Sequence, residues 1–527
     1  MQKSIYSSSF AHEGLPCHLI LIETMDSSQP RDTERERSSL IKRLDALYEY
    51  DREPVSENRL HGWKNFIAMF SGEHIAGTEF VLGPLMVMHG VSAGDFIWGL
   101  LAGNTMAVLS WAFLTAPVAV KTRLTIYWQL KKVVGPWLTF AYSAFYAFIL
   151  CLMAGAMVNV AVTSISIPFG IPNPDYLAGD LLPSLPWMGI ALVVGAVIAV
   201  LAVLGFEKIA HFSKICAPWM ILVFFAAAIA MLAKLRSGTE GSFWEILSTK
   251  IFTGQPLGNN SKYTFWHVAG FAWLCNATQH MGMADITIFR YAKRWTQGFA
   301  SAFGMFLGHF GAWIASGILC AAYLADGFTN PQPGTIALFG AGLAGAVCVV
   351  IAGWTTANPT LYRAGLAIQV VTPNWRRWKV TFAAGIFMII TACIPAVNAN
   401  LDRIVAYYGL FFAPVGAFII LEVWLFPKIG LISNFIEKSG LSFSWPAAVS
   451  WFTPFLISLF FYGKDNYPFL SKMVNGRLPG WIDKLHLDIT FLVGPEWILA
   501  AIFYLITVFI QQKSTPHPQF AGKGGLL

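Results

Sequence analysis

The segment MFSGEHIAGTEFVLGPLM, residues 69–86, is apolar enough to lie in a membrane, yet it carries Glu73, His74 and Glu79. A carboxylate beside an imidazole can take up a proton and pass it on. Ionisable groups at bilayer depth cost at least about 2.5 kcal/mol each on insertion scales, so they mark a proton or ion path, or a buried partner. The residues alone leave three roles open. Glu73 and His74 act as a proton-accepting pair, Glu79 carries the coupling proton itself, or Glu79 sits in a structural pair.

Two further stretches interrupt apolar runs. GFAWLCNATQHMGMADITIF, residues 270–289, holds a polar island from Cys275 to Gly282 that includes Asn276 and His280. AGWTTANPTLYRAGL, residues 352–366, holds Thr355 and Thr356, whose hydroxyl oxygens are hard ligands suited to sodium. Asn358 offers both an amide donor and an acceptor, a pairing that suits a planar heterocycle. Pro359 removes a backbone donor and clashes with the carbonyl four residues earlier, so a kink is expected there, near the end of its span. His267 and His309 read as packing histidines, while His280 stands out because it lies in the island. Asp285, followed by Arg290, Lys293 and Arg294, reads as a helix end at the cytoplasmic surface. Tyr146, Phe148, Trp273 and Trp354 are candidate stacking faces for a flat ligand.

The elements that position these groups are membrane spans. The chain is 56% hydrophobic and 12% charged, against about 25% charged in an average soluble domain. With about 20 apolar residues needed per span, it reads as an all-α polytopic protein of about twelve spans: 64–90, 94–117, 134–162, 184–205, 211–233, 264–287, 298–325, 335–358, 379–399, 402–426, 443–462 and 492–511. Nothing alternates as a membrane β-barrel would. The net charge of +7 gathers in alternate loops, which signals topology and no nucleic-acid partner. Basic loops between spans two and three, six and seven, and eight and nine then face the cytoplasm, with both termini inside the cell membrane. Residues 1–60 read as a cytoplasmic tail, 61–430 as a ten-helix core, 431–512 as two added spans and 513–527 as a second tail. Seven scattered cysteines show no metal spacing.

If the first ten spans are two repeats of five, span one corresponds to span six, and the two polar interruptions fall at matching places. Matched discontinuous helices are the sequence sign of a five-plus-five inverted-repeat transporter with a midplane site. Unwound backbone persists at membrane depth where its amides and carbonyls bind a ligand, an ion or other protein groups.

Four ordered motifs carry a resemblance. EPVSENRLHGW (53–63), VSAGDFIWGLLAGN (91–104), MADITIFRYAKR (283–294) and GWTTANPTLYRAGLAI (353–368) are similar to those of the nucleobase and cation symporter family of purine, cytosine, hydantoin and thiamine permeases. The resemblance spans about residues 50–425 and implies alternating access driven by a sodium or proton gradient. It places a sodium site on Ala352, Thr355 and Thr356, with span-one carbonyls near Glu73 and Ala76. Substrate contacts fall around Gly77, Thr78, Ala147, Leu150, Cys275, Asn276 and Asn358 to Thr360. Where cytosine permeases carry Asn-x-Asn after the two threonines, this chain has Ala357, Asn358 and Pro359.

The expectation is therefore a secondary active transporter, not an enzyme. It imports a small nitrogen heterocycle with a coupled cation and uses no cofactor. Gly77, Thr78, Phe148, Trp273, Cys275, Asn276 and Asn358 are the expected substrate contacts, and Glu73, His74, Glu79 and His280 the proton-coupling candidates. An amino-acid or amine permease of the same fold is the nearest alternative. An intramembrane enzyme lacks any His-Glu-x-x-His spacing, and a channel would show neither saturation nor accumulation.

Overall fold

The computed structural model describes residue 49, residues 53–75, 77, 79–174, 181–236, 241–474, 477, 479 and 489–514. Ala76, Thr78 and most of the two expected tails lie outside the described residues.

The described residues form an all-helical bundle with no β-strand. Nine helices among them are long and apolar enough to cross a membrane. The expected spans one, six and nine are the ones not in that set, and for two of them the reason is chemical. Span one is two helices, Trp63–His74 and Glu79–Met88. Span six is Phe265–Leu274 followed by the short turns Ala277–His280 and Ile286–Phe289. Span nine is a continuous helix of 16 residues, Arg377–Ala392.

Each break has a backbone cause. At Ile75 the chain leaves the helix with φ −91° and ψ 61°. In span six Asn276 departs at φ −109° and ψ 22°, and Met283 takes φ +62°, a left-handed conformation rare for a side chain of its kind. Carbonyls before a break lose their helical donors and need others. Thr356 supplies one to Glu73, and the His280 ring supplies one to Trp273 at 2.8 Å.

The packing has the internal symmetry of an inverted repeat. Span three (Pro136–Ser166) lies along span eight (Pro333–Val371), and span four (Leu185–Leu204) along span nine. The first half of span six packs on span two (Ala93–Ser110), as the second half of span one packs on the Gly311–Ala325 helix of span seven. Exchanging the repeats maps each of these contacts onto its counterpart. Spans eleven (Trp445–Asn466) and twelve (Ile489–Ser514) pack against one another beside this core.

Span eight differs from the expectation. It runs on to Val371, so Asn358, Pro359 and Arg363 lie well inside the helix and not at its end. The non-helical residues are Ala341 and Gly342 (φ +59°), near its beginning, where glycine adopts the left-handed turn without steric cost. Pro359 is carried within continuous helix.

Candidate transport cavity

Between the two broken spans lies a cavity of about 540 Å³, within the usual range of small-ligand sites of roughly 300–1,000 Å³. Span one contributes Glu73, His74 and Glu79 to its wall, and span six contributes Cys275, Asn276 and Gln279. Met153, Met157 and Asn159 come from span three, His309 from span seven, and Thr356 and Thr360 from span eight. The cavity extends past Thr163 to Pro331–Gly334, at the N-terminal end of span eight.

Behind Glu73 lies a cluster of buried charge. Arg363 donates from Nη1 to Glu73 Oε1 at 2.6 Å and from Nη2 to Glu73 Oε2 at 3.1 Å, and Nη2 also reaches Asp285 Oδ1 at 2.6 Å. Trp111 Nε1 donates to the second oxygen of Asp285 at 2.8 Å. A guanidinium fork can hold two carboxylates at once in this way. Next to it, Arg290 donates to the Glu49 carbonyl at 2.6 Å and to the hydroxyls of Tyr291 and Tyr362. Those hydroxyls donate in turn to the Glu49 carboxylate at 2.7 and 3.0 Å. Asp285 and Arg290 are both fully buried, which corrects their reading as a surface helix end. The sequence signal that was available is Arg363: an arginine deep in an apolar helix demands anionic partners.

At the break of span one, the Thr356 hydroxyl lies 3.2 Å from the Glu73 carbonyl and 2.9 Å from that of Ala352, and the Thr355 hydroxyl lies 3.1 Å from the same Ala352 carbonyl. Four of the five residues assigned to the sodium site thus cluster as oxygen donors; the fifth, Ala76, is outside the described residues. Thr355 and Ala352 are fully buried, and Thr356 alone of the three faces the cavity.

Glu79 is fastened to span seven twice. Its carboxylate accepts from Trp313 Nε1, and its carbonyl accepts from Ser316 Oγ at 3.0 Å. Its other carboxylate oxygen lies 3.4 Å from His309 Nε2. Span seven comes this close because it presents glycine: a Cβ on Gly308 would stand 2.3 Å from the His74 carbonyl oxygen. His309 itself sits in the widened, π-helical stretch Phe303–Phe310, a distortion that recurs at functional sites.

Of the expected substrate contacts, Cys275, Asn276 and Thr360 are on the cavity wall. Gly77 is buried, its Cα-side space filled by Val160 of span three and Gly353 of span eight. Phe148 is 45% exposed on the outside of the bundle, beside Phe387, because the residue faces away from the repeat interface. Trp273 donates to Ser110 at 3.3 Å, away from the cavity. Asn358 is fully buried and neither of its amide atoms is hydrogen-bonded among the described residues, yet it is also off the wall. On span three the wall begins at Met153 and Met157, about one and two turns beyond the expected Leu150, and both Leu150 and Ala147 are buried in the helix packing. Phe271 is the one phenyl or indole ring on the wall among the described residues. Among the proton candidates, His280 is fully buried and off the wall; it caps the span-six break and packs edge-on to Trp111. His309, set aside in the sequence as packing, is on the wall.

No protein-family model and no curated protein matches the sequence. The chain is similar in structure to Mhp1, a nucleobase-cation-symport-1 family transporter, in a closed conformation with bromovinylhydantoin bound, with a TM-score of 0.64 and 17% identity over 90% of this chain and 98% of that one. It also resembles a Na+-coupled sialic acid symporter in a substrate-bound outward-open state (TM-score 0.57, 13% identity, 90% and 97% covered) and Mhp1 in an inward-facing conformation (TM-score 0.57, 16% identity, 89% and 96% covered). The chain has their fold. The first of them belongs to the same transporter group that the four sequence motifs resemble.

Proposed function

We propose that this chain is a secondary active transporter of the nucleobase and cation symporter family, moving a small nitrogen heterocycle together with a cation. The observation that carries this reading is the cavity between the two broken spans, with the hydroxyl of Thr356 and the carbonyls of Glu73 and Ala352 gathered at one edge. Loading a cation there ties span one to span eight, and a solute in the cavity ties span one to span six. Coupling follows when both bind one state of the bundle better than the other, since a ligand equal in both shifts nothing. The cavity reaches the Pro331–Gly334 end and has the buried charge of Arg363 behind Glu73, the arrangement of a site loading from one side. The expected orientation, with basic loops inward, makes the open end external.

The test is uptake into proteoliposomes containing the full-length protein under sodium or proton gradients, with hydantoins and nucleobases as solutes and amino acids as competitors. Thr356→Val is expected to raise the half-saturating cation concentration about tenfold, equivalent to about 1.4 kcal/mol. An unchanged cation response removes the threonine site from the account.

One observation favours an amine permease as a second reading. The wall carries Glu73 and Glu79 and, among the described residues, no lysine or arginine, and it offers a single phenyl ring for stacking. Competition by cationic amines and not by neutral heterocycles is the outcome that selects it.

A further inference from the structure

Three imidazoles meet near the breaks, and their partners separate them. His74 is bonded through Nδ1 to the Phe70 carbonyl at 2.9 Å, and His280 through Nε2 to the Trp273 carbonyl at 2.8 Å. A ring nitrogen on a carbonyl must be the N–H, so each already spends its single neutral-form proton on the backbone. His309 is different. Its Nε2 points between the Glu79 carboxylate at 3.4 Å and the Asn276 side-chain amide at 3.4 Å, and its Nδ1 has no partner among the described residues. Both Glu79 and His309 are on the cavity wall, and both are more than nine-tenths buried.

The charge balance around them is uneven. From span one, Glu73 and His74 face this region; from span six come Cys275 and His280, with Asp285 beyond them; and from span eight comes Arg363. Arg363 is engaged by Glu73 and Asp285. Among the described residues Glu79 therefore has no arginine or lysine partner, and the imidazole is the group placed to neutralise it. A buried carboxylate with no compensating charge is strongly disfavoured.

We infer that Glu79 and His309 form a proton-binding site loaded from the cavity, and that Asn276 in the break of span six senses its occupancy. The inference rests on the transporter reading and names the ion and the site that this reading leaves open. On loading, a proton from cavity water adds to His309, which becomes doubly N–H and donates from Nε2 to Glu79; the pair goes from one negative charge to none. Asn276 then turns its carbonyl oxygen toward the imidazolium. On unloading, Nε2 loses its proton to water and accepts from the Asn276 amide N–H. One proton thus links span one, span seven and span six, apart from the Thr355 and Thr356 cluster.

The test is solid-state NMR of the full-length protein in lipid bilayers with ¹⁵N-labelled histidine, titrated over about pH 5 to 8, the range in which histidine switches. The His309 signals are identified by their loss in His309→Gln. The expected result is that His309 titrates, and that Glu79→Gln lowers its midpoint by about one unit or more, since an opposite charge that favours the protonated ring is removed. Glu79→Asp is expected to retain most of the wild-type midpoint. If Glu79→Gln does not fold, Asn276→Ala leaves the pair intact and is expected to raise the midpoint by removing a donor to the unprotonated ring. A His309 that stays neutral throughout, or a midpoint that neither variant moves, overturns the inference. No transported solute enters the measurement, so failure to carry heterocycles leaves its result intact, and a negative titration leaves the transport reading standing.

Discussion

The two breaks occupy equivalent places in the two repeats, yet they are held open by different chemistry. In span one the exposed groups are charged and bond outward to other spans: Glu73 to Arg363 and Thr356, and Glu79 to Trp313 and His309. In span six the groups from Asn276 to Ala284 are uncharged and partly bond within the same segment: His280 to Trp273, and Ala284 N to the Thr278 carbonyl at 3.0 Å. Only Asp285 beyond them is a carboxylate bonded outward, to Arg363 and Trp111. The difference separates two tasks. The first break is anchored to spans seven and eight and carries the carboxylates that line the cavity. The second is braced locally and presents amides, Asn276 and Gln279, to the cavity. A break that bonds outward depends on its neighbours for stability, whereas one that bonds inward keeps its shape when they move.

The largest expected effect that sharpens this contrast is at Arg363. Arg363→Ala leaves Glu73 and Asp285 buried without a cation, and breaking a buried pair in this way costs about 3–5 kcal/mol. Thermal unfolding of the purified protein in detergent is expected to drop sharply. Asp285→Asn, which leaves the bidentate Glu73 contact in place, should lower it less. Equal losses would show that the guanidinium belongs to both breaks alike. Next in size is Gly308→Ala, which pushes a methyl into the His74 carbonyl and carries an overpacking cost of about 1–3 kcal/mol; the same unfolding measurement reads it. Smallest is Thr278→Val, which removes an outward bond of span six, 3.3 Å to the Tyr408 carbonyl in the Leu401–Phe412 helix, a loss of about 0.5–1.5 kcal/mol. If Thr278→Val matched Arg363→Ala in effect, the contrast between an outward-bonded and a self-braced break would collapse.

The fold was readable because its physical signals are local. Apolar length marks the spans, and the glycines and polar residues at 72–79 and 275–282 mark where two helices come apart. The site was readable only in part. Cys275, Asn276, Glu73, His74 and Glu79 reach the cavity because they flank the helix breaks, and Thr356 reaches it from continuous helix opposite the span-one break. Phe148, Trp273 and Asn358 do not, because which face a residue shows within an unbroken apolar helix depends on packing that periodicity does not reveal; span three is apolar all round, and a slip of one turn separates Leu150 from Met153. His309 escaped notice for a related reason: its partner, Glu79, lies far away in sequence and is reached only through the close approach of Gly304 and Gly308. Asp285 misled because its basic followers imitate a loop, while Arg290 is drawn into the protein by Glu49 and Tyr362.

The central claim is that the broken spans enclose a water-filled cavity that ends at the cation-binding edge. Modification by a membrane-impermeant thiol reagent tests it without knowledge of the solute, using a cysteine-free full-length chain carrying either Met157→Cys or Leu150→Cys on span three. The account predicts rapid labelling at position 157, which is on the wall, and none at position 150, which is buried beyond it. Labelling at 150 with none at 157, or at neither, would contradict it.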